Sequence, residues 1–204
     1  MRTERRALFA NPAGWYCWLG LGLLLASVGT PLFTAERTAR IEGRAEQIVG
    51  LLREATRGFP APLGADDMPI VLARFHALCG RDAVLVGDLE PLVPALPQTL
   101  LTLRNKHYLF HLAASPLEAR AVASPGALPA YEALAWPVAA VGPGHSVYFH
   151  PDDAPRAFSR NLSAGYFGTG SRRPAPGQCH RRPSAVAEES RLYRSANDER
   201  WIVF

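Results

Sequence analysis

The 29 residues from Ala7 to Ala35 carry no charge, and from Trp15 through Leu19, Leu21, Leu23, Leu24, Leu25 and Val28 to Phe33 they are mostly apolar. A helix of about 20 such residues matches a hydrocarbon core about 30 Å thick. The expectation is therefore a transmembrane anchor over residues 15–33, resting on Trp15, Trp18, Leu21, Leu24, Val28 and Phe33. Trp15, Tyr16 and Trp18 cluster at its start, where amphipathic rings favour a membrane interface. A cleaved signal peptide competes, because Arg2, Arg5 and Arg6 form a basic opening and Ser27-Val28-Gly29 offers small residues to a peptidase. Continuation of the run through Leu32 and Phe33 favours the anchor. A basic tail inside (1–14) and the bulk outside then describe a single-pass protein of the bacterial inner membrane. Its C-terminal domain lies in the periplasm, and its partners are the lipid bilayer and other membrane or envelope proteins.

Beyond the run, Ile41, Ala45, Ile48 and Leu52 recur at helical spacing, so residues 34–58 read as an amphipathic helix that Gly58 and Pro60 stop. Pro31 marks a kink between it and the anchor. A Pro/Gly/Asp loop from Phe59 leads to a second helix over Pro69–Leu78, and Glu90-Pro91 falls in a short helical turn. From Asn105 the period becomes two. Tyr108, Phe110 and Leu112 share one face of a strand, and Tyr131–Val138, Ser146–His150 and Arg156–Arg160 are further strands parted by turn residues. The fold class expected is α+β: a long N-terminal transmembrane helix continues into an amphipathic helix packed on a small antiparallel sheet, within a domain over 59–163. Residues 164–204 are loop-rich, with a short helix from Ser184 and an edge strand at Trp201–Phe204.

The succession of a long hydrophobic helix, Leu-Glu-Pro-Leu-Val-Pro, the strand Asn105-Lys106-His107-Tyr108-Leu109-Phe110-His111-Leu112, then Tyr131–Pro137 and Ser146–Asp153 resembles bacterial type IV pilin-like and type II secretion pseudopilin-like proteins. The resemblance implies a pilin-like outer domain working in a secretion or pilus-like assembly. The chain departs from the pattern at Phe9–Gly14, which supplies no helix-start Glu for a prepilin peptidase, so a permanent anchor is expected rather than a processed filament subunit.

Of the 22 basic residues 21 are Arg, and Ala, Pro and Gly abound, as in a GC-rich bacterial genome, so the basic pI is not taken as a nucleic-acid signal. Glu42/Arg44, Arg53/Glu54 and Glu199/Arg200 read as solvated charge pairs. Cys17 lies in the apolar run, which leaves Cys79 and Cys179 as a disulfide candidate in an oxidising compartment. His107 and His111 are four apart on a strand, about 13 Å, too far for one metal ion. No nucleophile elbow accompanies the Ser, His and Asp residues, and Cys179-His180 adjacency does not make a catalytic pair. The glycines of Gly165–Gly170 lack the strand–loop–helix and Lys context of a phosphate loop. No catalytic, cofactor or metal residue and no small-molecule substrate is assigned. The expected function is a non-enzymatic, membrane-anchored envelope protein that recognises other proteins; the alternative is a single-span accessory subunit of a larger membrane complex.

Overall fold

Residues that alternate between two apolar faces build most of this molecule. The computed structural model describes residues 12–59, 63–80, 88–93, 96, 99–115, 131–152, 154–181 and 191–204. Eight strands, β1 (Glu90–Pro91), β2 (Leu101–Arg104), β3 (Tyr108–Ala114), β4 (Tyr131–Pro137), β5 (Val147–Pro151), β6 (Ala157–Ser159), β7 (Leu192–Arg194) and β8 (Arg200–Val203), form one sheet. Their order is β1-β2-β3-β4-β5-β6-β8-β7, with every neighbouring pair antiparallel.

The period of two sends Tyr108, Phe110, Leu112, Ala133, Ala135 and Tyr148 to one face, and Leu109, Leu134, Trp136, Val147 and Phe149 to the other. Ala45, Ile48, Val49 and Leu52 of helix α1 (Pro12–Ala55) and Val71 and Phe75 of helix α2 (Met68–Cys79) join the first cluster. Each such fully buried Leu, Ile or Phe contributes about 1.5–3 kcal/mol of transfer free energy. Tyr166, Cys179 and Trp201 join the second cluster, so the segment after β6 covers the opposite face.

Two turns have clear local causes. Asn105 Oδ1 accepts the N–H groups of His107 (2.8 Å) and Tyr108 (2.7 Å), which pins the β2–β3 turn. Gly144 has φ +89°, and a Cβ there would stand 2.8 Å from Tyr108 Cε2, so no larger residue fits.

The chain divides into two units, Met1–Arg40 and Ile41–Phe204. Within the first, the described part is helical, Glu36 and Arg40 pair at 2.7 Å, and Thr34 Oγ1 donates to the Pro31 carbonyl.

The expected fold class is overturned. The sheet is large and mostly antiparallel, the helices are few, and among the described residues no helix is long and apolar enough to cross a membrane. Freedom from charge overstated the apolarity of the run, because Gly20, Gly22, Ser27, Gly29, Thr30 and Pro31 interrupt it and charge returns at Glu36. The transmembrane anchor, the single-pass signal-anchor topology and the inner-membrane placement with a periplasmic domain fall together. The sheet also gained strands at both ends. Glu90-Pro91, read as a helical turn, pairs with Arg104 and Leu103, and Trp201–Phe204, read as an edge, supplies β8 between β6 and β7. The helix expected from Ser184 lies outside the described residues.

Candidate functional site

The register places Phe110, Ala135, Tyr148, Phe158, Ile202 and Leu192 in one cross-strand row from β3 to β7. Along it burial runs out. Phe110 and Ala135 are fully buried, Phe158 and Ile202 are half-buried, and Leu192 is 43% exposed. Phe204, just beyond β8, is 47% exposed, has its ring 5.7 Å from that of Phe158, and lies under the Arg156 guanidinium at 5.7 Å.

A groove of about 790 Å³ opens beside this surface, walled by Glu46, Gln47, Gly50 and Leu51 of α1 and by His150, Pro155, Arg156 and Phe204 of the sheet. Arg53 Nε meets Asp152 Oδ1 at 2.9 Å, and the other oxygen of Asp152 accepts the Tyr131 N–H at 2.9 Å. His150 is buried, its Nε2 has no hydrogen-bond partner among the described residues, and burial together with the charges of Arg156 and Arg53 lowers its pKa to about 4. A Cβ on Gly50 would touch the His150 ring at 3.5 Å, an ordinary contact, whereas a longer side chain would intrude on the groove.

The other polar cluster is buried on the opposite face. Glu132 interrupts apolar β4; its Oε1 accepts the Gly177 N–H (2.8 Å) and its Oε2 lies 2.9 Å from His180 Nε2. Ser115 Oγ lies 3.0 Å from that same nitrogen. A Ser–His–acid relay needs acid and hydroxyl on different ring nitrogens. With Nε2–H turned to the carboxylate, that nitrogen has no lone pair for the serine proton. The cluster is thus arranged to tether residues 177–180 to the sheet. Cys179 beside it is no better placed as a nucleophile, since burial and then the charge of Glu132 raise its pKa well above the usual thiol value.

Two further carboxylates, read from sequence as solvated, also act as anchors. Glu199 is 1% exposed and accepts hydrogen bonds from Ser159 Oγ, from the Ser163 N–H (2.9 Å) and from the Ala164 N–H. Glu42 Oε1 accepts the His145 and Ser146 N–H groups and Ser146 Oγ at 2.9–3.1 Å. The signal that could have found Glu132 is its place inside an otherwise apolar strand; Glu199 offers none, because its partners lie 35 or more residues away.

The structure does not bring Cys79 and Cys179 together. Each is buried in a different cluster, on opposite faces of the sheet, and no bridge joins them. Reductant should therefore leave the melting temperature and the non-reducing gel mobility unchanged; a drop in melting temperature on adding dithiothreitol would contradict this placement. Trp15, Trp18, Leu21 and Phe33 are all at least half exposed, and the side chains of Leu24, Val28 and Cys17 lie outside the described residues. His107 precedes β3 and His111 lies within it, its ring edge-on to Trp136 at 5.0 Å. Among the described residues no three His, Cys, Asp or Glu side chains gather as a metal site.

No protein-family model, curated protein or solved structure matches the chain. The site is thus read from its own geometry.

Proposed function

We propose that the chain is a non-enzymatic protein-recognition domain whose docking surface is the groove beside α1 and the uncovered end of the sheet row. The observation that carries this reading is the row itself, buried under the helices at Phe110, half-buried at Ile202 and exposed at Leu192, with the exposed Phe204 beside it. An apolar surface that emerges from a core beside a helix suits an amphipathic helix of a partner, laid along α1 with its charged flank toward Arg156 and Glu46. The same-nitrogen geometry at His180 supports a non-catalytic reading. The pilin-like and pseudopilin-like resemblance supports a partner from a secretion or pilus-like assembly.

A photocrosslinking residue at Leu192 tests this. One discrete adduct is expected, lost on Gly50→Leu or Phe204→Glu, with none from the same probe at Val93, an exposed residue beside β1. Equal adducts from both positions, or an adduct indifferent to the blocking substitutions, would refute the docking surface. A peptidase or esterase activity abolished by His180→Ala would refute the non-enzymatic reading.

A second reading makes the chain an accessory subunit of a larger protein complex, held through Met1–Arg40. It is favoured by the exposure there of Trp15, Trp18, Leu21, Leu23, Leu32 and Phe33. The triple change Trp18→Ser, Leu21→Ser, Leu23→Ser would then release the partner, while Phe204→Glu would not.

A further inference from the structure

Another groove, about 850 Å³, lies over the loop that follows β6, and its lining includes Thr169, Ser171, Arg172, Arg173, Gln178 and Asn197. Among the described residues no carboxylate lines it. Among the described residues neither Arg172 nor Arg173 forms an ion pair, in contrast to Arg40, Arg44, Arg53, Arg57 and Arg194. Every side chain of the six can donate a hydrogen bond.

The loop is also set in place before any ligand arrives. Trp136 Nε1–H, from inside the sheet, donates to the Gly168 carbonyl (2.8 Å), and the Gly168 N–H donates to the Pro137 carbonyl (3.0 Å). The Phe167 N–H closes on the Arg172 carbonyl at 3.0 Å, and the Arg173 N–H on that of Gly170 at 3.3 Å. Asn161 clasps Tyr166 through both of its amide atoms. Arg172 is further steadied over the Phe167 ring, 5.6 Å from its centre. Gly168, at φ +62°, takes a conformation few other residues adopt.

Two consecutive arginines that line one groove and form no ion pair among the described residues, on a loop fixed by these hydrogen bonds with hydroxyl and amide donors around it, suit a doubly charged tetrahedral oxyanion, which forked arginines hold bidentately. We propose that this groove binds a phosphate- or sulfate-type dianion, free or as the monoester of a small molecule. The groove goes beyond the docking surface and does not depend on it.

Titration of the full chain with inorganic phosphate, sulfate and phenyl phosphate, followed by amide resonances against sodium chloride of matched ionic strength, tests the assignment. Saturable shifts are expected at Gly168, Gly170 and Ser171. Arg172→Gln and Arg173→Gln should each weaken binding by about tenfold or more, as loss of a charge-assisted hydrogen bond implies, and Arg160→Gln should not. Phenyl phosphate binding at least as tightly as phosphate marks an ester site, and phosphate binding alone marks a free-ion site. Shifts reproduced by chloride, shifts centred elsewhere, or wild-type affinity in both folded arginine variants would overturn the proposal. Should the variants fail to fold, the localisation of the wild-type shifts still decides.

Discussion

Replacing Glu132 by Ala lowers the free energy of unfolding by about 2–5 kcal/mol, the cost of leaving two buried hydrogen-bond donors without their acceptor. The carboxylate is wholly buried and serves two donors on one loop, Gly177 N–H and His180 Nε2. Ala removes both acceptors at once and leaves a void between the sheet and the loop, where neither donor finds water. Glu132→Gln should cost less than half as much. Its carbonyl oxygen still accepts from Gly177, and its amide can donate to His180 once the ring adopts the tautomer with a lone pair on Nε2. Urea unfolding of the three proteins gives the comparison, and an Ala variant within about 1 kcal/mol of wild type would sink the assignment of Glu132 as the tether of this loop. A hydrolase would respond differently, losing turnover in both variants with little change in stability.

The parts of the fold legible from sequence are those whose causes are local. Tyr108–Leu112 alternates cleanly and follows an Asn that folds its own turn, so β3 and its start could be read directly. Val71 and Phe75 sit at helical spacing between Asp67 and Gly80, and α2 forms there, over Met68–Cys79. What could not be read is what depends on distant pairing. Trp201–Val203 reads as a strand, but nothing local says that Leu192–Arg194 will pair along its other side and bury Trp201 completely.

Charge misled twice for the same reason. Ala7–Ala35 has none and reads as lipid-compatible, though glycines, Ser, Thr and Pro dilute it; Glu42 and Glu199 have it and read as solvated, yet both turn inward to hold loops. A formal charge says how a side chain behaves alone, whereas burial depends on how many donors the fold brings to it. The groove beside α1 is not legible in the sequence because its walls come from segments about a hundred residues apart, residues 46–51 and 150–156, and each segment alone looks like ordinary amphipathic surface. The arginine groove is not legible in the sequence: the glycines of Gly165–Gly170 lack the context of a phosphate loop, and the Trp136 hydrogen bond that fixes them joins residues 32 positions apart.

Acid should unfold the protein well before its carboxylates alone would, through two histidines on opposite faces of the sheet. Burial, then the Arg173 charge, lowers the pKa of His111 to about 3; burial, then Arg156 and Arg53, lowers that of His150 to about 4, from an ordinary value of 6.5. Both are therefore neutral in the fold and protonate freely once unfolded, so below pH 6.5 the unfolded chain binds more protons. Their contribution is complete above that pH and is lost as the pH falls through 6.5 toward 4. At about 1.4 kcal/mol per tenfold in proton concentration, each histidine removes about 3 kcal/mol by pH 4. Together they remove about 6 kcal/mol, comparable to the whole stability of many domains. Among the described residues neither Nε2 has a hydrogen-bond partner that could stabilise the added proton. The double variant His111→Leu, His150→Leu should flatten the decline of the urea midpoint between pH 6.5 and 4, and His150→Leu alone should remove about half of it. An unchanged slope in the double variant would assign the acid sensitivity to the buried carboxylates instead.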